Sequence, residues 1–161
     1  MPVSNEYDLL LAGGESDPNL ICLADRADAM SVNAVTLLHA PDKYPSCSFS
    51  IDESYLVVDG RKTHAKSAFI RHDVFSSVID GEEAPDNSLG WFSAVYGWCV
   101  SQRDLKIFNK DLRYVALNKI FMLDLAASLG LNVPRTIVSN DRKHIEAIGA
   151  SLDCVAKPVH G

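Results

Sequence analysis

Short apolar runs and helical periodicities take turns along the chain. Tyr7 to Ala12 is an apolar run closed by Gly13-Gly14, and its length predicts a buried strand. Asp17 and Pro18 then suit an N-cap and the first helical position. Leu20, Ala24 and Ala27 share a face beside Ile21, which predicts a helix from about Pro18 to Ala29. Val32 to Leu38 returns as a second strand. Strand, helix and strand within about thirty residues make a βαβ unit, and such crossovers build parallel sheets.

Cys47 to Ile51 and Ser54 to Val58 are rich in β-formers, and Asp59-Gly60 between extended runs predicts a hairpin turn. Ala68 to Arg71 reads as a further strand rejoining the central sheet. Val74 to Asn87, with Gly81, Pro85 and the acids Asp80, Glu82, Glu83 and Asp86, reads as a solvated loop. Leu89, Phe92, Tyr96 and Cys99 recur at helical spacing, with Trp91, Val95 and Trp98 on an adjacent face. So wide an apolar arc predicts a helix buried on more than one side, and it would also suit an interface between domains.

Leu105 to Asn109 is a short apolar run. A long helix is expected from about Arg113 to Leu129, with Ala116, Ile120, Leu123 and Ala127 as its stripe, Gly130 as C-cap and Pro134 beyond. Val133 to Val138 reads as a strand. Ser139-Asn140-Asp141 caps a helix of about Arg142 to Ser151, and Cys154 to Lys157 reads as a final strand. The chain then closes at a loop, Pro158 to Gly161, which reads as the front part of a longer protein. The fold class expected is α/β, with a mainly parallel sheet and a hairpin.

Composition narrows the function classes. Of 161 residues, 47% are hydrophobic and 22% charged, the balance of a globular domain. The net charge of −6 and the absence of a Lys/Arg cluster argue against nucleic-acid binding. No apolar run reaches the length of a membrane span, and no signal peptide is recognisable. Cys22, Cys47, Cys99 and Cys154 form no CxxC pair, so four reduced, mostly buried thiols in a cytoplasmic protein are expected.

Several residues are placed for chemistry. The Gly13-Gly14 turn before a helix offers backbone N–H groups to an anion, but it is not GxGxxG and reads first as an ordinary βα turn. Arg71-His72-Asp73 follows a strand, where polar groups either read a substrate or form a plain Arg–Asp surface pair. His39, His64, His144 and His160 are scattered, so no metal site is expected. Lys119 on the long helix and Lys157 at the end of an apolar strand matter together. An ammonium at a buried strand end costs several kcal/mol unless an anion meets it. A triphosphate is such an anion.

The run Asn118-Lys119, then Gly130-Leu131-Asn132-Val133-Pro134-Arg135-Thr136, then Ala156-Lys157-Pro158 resembles the entry to the nucleotide-binding part of ATP-grasp ligases. Its spacing is similar to the branch of glutathione synthetase and the ribosomal-protein glutamate ligases, and to the maturases of microviridin-type peptides. Phe69-Ile70-Arg71-His72-Asp73 resembles that branch's strand ending in Arg-x-Asp, and Phe108-Asn109 its aromatic-Asn pair. The resemblance is specific over residues 66–161 and general before them. One departure is His160, where the loop is usually small or acidic.

The resemblance implies a Rossmann-like preATP-grasp domain over residues 1–112. Residues 113–161 would then be a linker helix and the first part of the nucleotide-binding subdomain. It implies that Lys119 and Lys157 contact ATP, that Gly161 opens the phosphate-covering loop, and that Arg71 and Asp73 meet substrate. The implied reaction joins a carboxylate to an amine through an acylphosphate, with ATP and Mg2+ as cofactors and an amino acid or peptide as substrate, in a possible homo-oligomer. The family's magnesium-binding and catalytic residues come later in such chains, so none is expected here. Two other readings stay open. One is a non-catalytic peptide- or acid-binding module using the Asp59-Gly60 hairpin and the aromatic helix. The other is a nucleotide or sugar binder at Gly13-Gly14.

Overall fold

The computed structural model describes residues 4–40, 43–51, 53–72, 87–110, 118–151, 153–157 and 159. Strand β1 spans Ser4–Gly14 and leads through helix α1, Pro18–Ala29, to β2, Ala34–His39. Strands β3, Cys47–Ser50, and β4, Leu56–Val58, precede the long β5, Arg61–Ile70. Helix α2, Asn87–Ser101, leads to the short β6, Lys106–Ile107. Helix α3, Lys119–Ser128, then β7, Ile137–Ser139, and α4, Arg142–Ser151, complete the order.

The strands form one seven-stranded sheet in the order β2-β1-β5-β4-β3-β7, with β6 also on β5. A parallel core joins β1 to β2 and to β5, with Leu10 facing Val35 on one side and Ala68 on the other. Strand β5 changes neighbour along its outer edge. Its first residues, Arg61 to Thr63, pair antiparallel with β4, and Ser67 and Ala68 pair parallel with β6. The antiparallel extension continues through β3 to β7, where Phe49 faces Val138.

Both faces of the parallel core are covered where Leu9 to Ala12 cross it, so this part of β1 is continuously apolar rather than alternating. Leu9 and Leu11 pack with Leu20 and Ala27 of α1. Leu10 and Ala12 join Ala68 and Ile70 beneath α2, whose Trp91, Phe92, Val95, Tyr96, Trp98 and Cys99 are buried. Each such side chain contributes roughly 1.5–3 kcal/mol on burial. The α/β class and the wide burial of the aromatic helix agree with the sequence reading. At the hairpin, Asp59 and Gly60 both take positive φ, 46° and 77°, as a two-residue turn between twisted strands requires.

Several expectations are corrected. Asn118 is extended (φ −82°, ψ 115°) and caps α3, so no helix runs through it from Arg113. Residues 111–117, including Ala116, lie outside the described residues, as do residues 74–86 of the segment Val74 to Asn87 read as a loop, whose last residue, Asn87, instead begins α2. Residues 153–157 form no strand: they are exposed, Val155 at 81%, and no other strand pairs with them among the described residues. An extended segment without a partner for its backbone gains nothing from strand geometry. Lys157 therefore does not end a buried strand. Finally, Cys47 and Cys99 are buried but Cys22 and Cys154 are exposed, because the latter two lie on the outer side of α1 and on the exposed segment after α4. No described helix is long and apolar enough to cross a membrane.

Candidate functional site

Strand β1 connects to β2 on one side through α1, while β5 lies on its other side. The carboxyl ends of β1 and β5 thus form a topological switch point, the place where open α/β sheets bind ligands. Gly13-Gly14 ends β1, His39 ends β2, and Arg71-His72 follows β5. The chain is tight here. A Cβ on Gly13 would lie 2.5 Å from Leu20 Cδ1 and 2.8 Å from the Arg71 carbonyl oxygen.

Asp17 is fully buried in this crevice. Its Oδ1 accepts from the Asn19 backbone N–H at 2.9 Å, capping α1, and from Asn19 Nδ2 at 3.2 Å. Arg71 Nε donates to Asp17 Oδ2 at 2.6 Å. Burial pushes the Asp17 carboxyl up, but the two Asn19 donors and the Arg71 guanidinium outweigh it. The group titrates below the ordinary carboxylate value. The Arg71 side chain stays a third exposed while its Nε holds Asp17.

Helix α2 walls the crevice with aromatic rings. His39 stacks on Tyr44 at 4.9 Å and meets the edge of Trp91 at 5.0 Å. His72 packs on Phe92 at 5.3 Å, and Phe92 on Tyr96 at 5.5 Å. His72 Nε2 and Trp91 Nε1 are buried without a hydrogen-bond partner among the described residues. The end of β5 is closed by Asn109, whose side-chain amide accepts from the Ile70 N–H at 3.3 Å and donates to the Ile70 carbonyl. It takes the place of a neighbouring strand just beyond β6. Beside the crevice, a groove of about 1380 Å³ opens between Trp91 and Val95 of α2, Phe49 of β3, Val138 of β7 and Arg142 of α4.

Helix α3 is docked to α2 through Asn118. Its Oδ1 accepts from the Ile120 and Phe121 N–H groups at 3.0 and 3.1 Å. Its Nδ2 donates to the Ser93 carbonyl of α2 at 2.8 Å. Lys119 is the first residue of α3 and is exposed.

Of the residues singled out in the sequence, Arg71 stands in the crevice, paired with Asp17. Asp73 and Gly161 lie outside the described residues. Lys157 is exposed on the segment after α4, and neither it, Lys119 nor Arg71 lines the groove. The partnership of Asp17 with Arg71 escaped the sequence reading, since a cap residue is visible locally and a contact across 54 positions is not. The place of His39 at the crevice escaped it too, although a histidine closing an apolar strand was a usable signal. No group of three or more His, Cys, Asp and Glu among the described residues is placed to hold a metal ion.

No protein-family model matches the chain. A search of the curated proteins finds no match either. Solved structures of the ATP-grasp ligase PsnB match the chain at low identity. PsnB complexed with a minimal precursor matches at TM-score 0.46 and 18% identity, over 96% of this chain and 54% of PsnB. The complex with minimal precursor, Mg and ADP matches at 0.47 and 19%, over 95% and 55%. That with precursor peptide PsnA2 and AMPPNP matches at 0.46 and 18%, over 100% and 57%. The chain spans about half the length of these structures.

Proposed function

We propose that this chain is the front part of an ATP-dependent ligase that joins a carboxylate to an amine. The observation that carries the reading is the start of α3. Lys119 occupies the first helical position, beside an Asn118 that caps the helix, in the Asn-Lys pattern noted in the sequence. A helix N-terminus attracts anions, and a lysine at its first position adds a point charge of the same sign there. Lys157, with Gly161 beyond it, supplies the second cation and the start of the loop around the phosphates. Residues 1–112 and 113–161 act in this reading as a preATP-grasp domain and the beginning of a nucleotide-binding subdomain.

A carboxylate is a poor electrophile, and ATP supplies the phosphoryl group that gives it a leaving group. The residues of this chain bind and orient. The lysines hold phosphate charge in place as point charges, which costs no reorganisation during transfer. Arg71, anchored by Asp17, presents its remaining guanidinium N–H groups to a substrate carboxylate, together with Asp73 as the partner for a substrate amine. The substrate is an amino acid or a peptide. The described residues supply no group of three or more His, Cys, Asp and Glu placed to hold Mg2+. The setting is cytoplasmic, in keeping with the free thiols.

The test is incubation of the natural protein with ATP, magnesium and a panel of amino acids, dipeptides and ribosomal peptides in the presence of hydroxylamine. An activated acyl group is trapped as a hydroxamate, with stoichiometric ADP. ADP and hydroxamate dependent on one acid support the reading. Absence of both across the panel contradicts it.

A further inference from the structure

Neighbouring residues of α2 touch different parts of the molecule. Its first turns carry Trp91 and Phe92, which pack on His39 and His72 in the crevice. The next residue, Ser93, accepts from Asn118 Nδ2 at 2.8 Å through its carbonyl. Gly97 faces the same side chain, and a Cβ there would run into both amide atoms of Asn118 and into Ile120 Cβ at 2.9 Å. Asn118 is 8% exposed and uses both ends of its amide: the oxygen caps α3, the nitrogen grips α2. A cap alone needs only the oxygen, and serine or aspartate serves as well. The donor to Ser93 and the bare Gly97 surface are what a cap does not require.

We infer that Asn118 is a positioning residue that locks the first turn of α3, and with it Lys119, to the helix walling the crevice. The lock sets where the Lys119 ammonium stands relative to the ligands of the crevice. This rests on the reading that Lys119 meets nucleotide phosphate.

The experiment is a double-mutant cycle on the natural protein. AMPPNP with magnesium is titrated by calorimetry well below the unfolding temperature. Asn118→Ser keeps an oxygen for the cap but is too short to reach Ser93. It is expected to weaken binding about fivefold, the worth of one hydrogen bond, and to have no further effect once Lys119→Met is present. Gly97→Ala, which displaces Asn118 without changing its chemistry, is expected to weaken binding in the same Lys119-dependent way. If Asn118→Ser leaves binding unchanged, or weakens it equally with Lys119 and with Met at that position, the positioning role is overturned while the nucleotide reading stands. If Lys119→Met alone leaves binding unchanged, the nucleotide reading itself fails, and the inference with it.

Discussion

Arg71 and Asp17 meet at 2.6 Å across the gap between the end of β5 and the start of α1. The pair ties together the two elements that flank the switch point. Asp17 is buried without exposure, so its charge is tolerable only with its donors in place. Arg71→Met removes one of them and is expected to cost about 2 kcal/mol, the usual worth of a hydrogen bond to a charged group. Asp17→Asn keeps the cap and drops the charge, and should cost less than Arg71→Met. Urea unfolding of the two variants checks the order, and equal stability of wild type and Arg71→Met would refute it.

The same pair sets an acid limit. The folded-state pKa of Asp17 lies below its unfolded value, near 3.9 for a free Asp. Its stabilisation is therefore present above the unfolded value and is lost as pH falls through the folded one. Urea midpoints measured from pH 6 downward should decline, and the decline should be shallower in Arg71→Met. Asp124 acts in the opposite direction. Burial raises its carboxyl while Arg103 lowers it, and the net shift is upward. A raised acid costs stability at neutral pH, so Asp124→Asn should give a small gain at pH 7 that vanishes in acid.

Thiol chemistry separates the cysteines by place. Burial, with a smaller contribution from Asp59, pushes the Cys47 thiol up to about 12, and burial alone raises Cys99 further. Cys22 and Cys154 are exposed. A thiol reagent should modify Cys22 and Cys154 promptly in the native protein, and Cys47 and Cys99 only on unfolding. Peptide mapping after brief labelling reads this directly, and early label on Cys99 would contradict the core described for α2.

What the sequence made legible was local. Pro18–Ala29 and Arg142–Ser151 coincide with the expected helices because cap, periodicity and end lie within each segment. The Asp59-Gly60 turn was legible because positive φ is a property of those two residues. The continuity of β5 was not. The hairpin reading made Arg61-Lys62-Thr63 extended, but the polar stretch His64 to Ser67 that joins it to Ala68 owes its strand geometry to pairing with β1. The break at Asn118 was hidden because apolar spacing continues across it, while the Ser93 carbonyl that holds it lies 25 residues away. Cys154 to Lys157 shows the converse: a β-prone composition without a pairing partner stays irregular. At the site, Arg71 stood out by residue type and strand-end position. Asp17 as its partner, and the rings of α2 over His39 and His72, depend on the sheet order and appear only in three dimensions.

The measurement that bears most directly on the whole account is calorimetric titration of AMPPNP and magnesium into the natural protein and into a variant carrying both Lys119→Met and Lys157→Met, with folding of each checked by circular dichroism. The account predicts saturable one-to-one binding that falls at least about tenfold in the folded double variant, the loss of roughly 1.4 kcal/mol that removing two phosphate-facing cations should exceed. Equal affinity in the two proteins would contradict it.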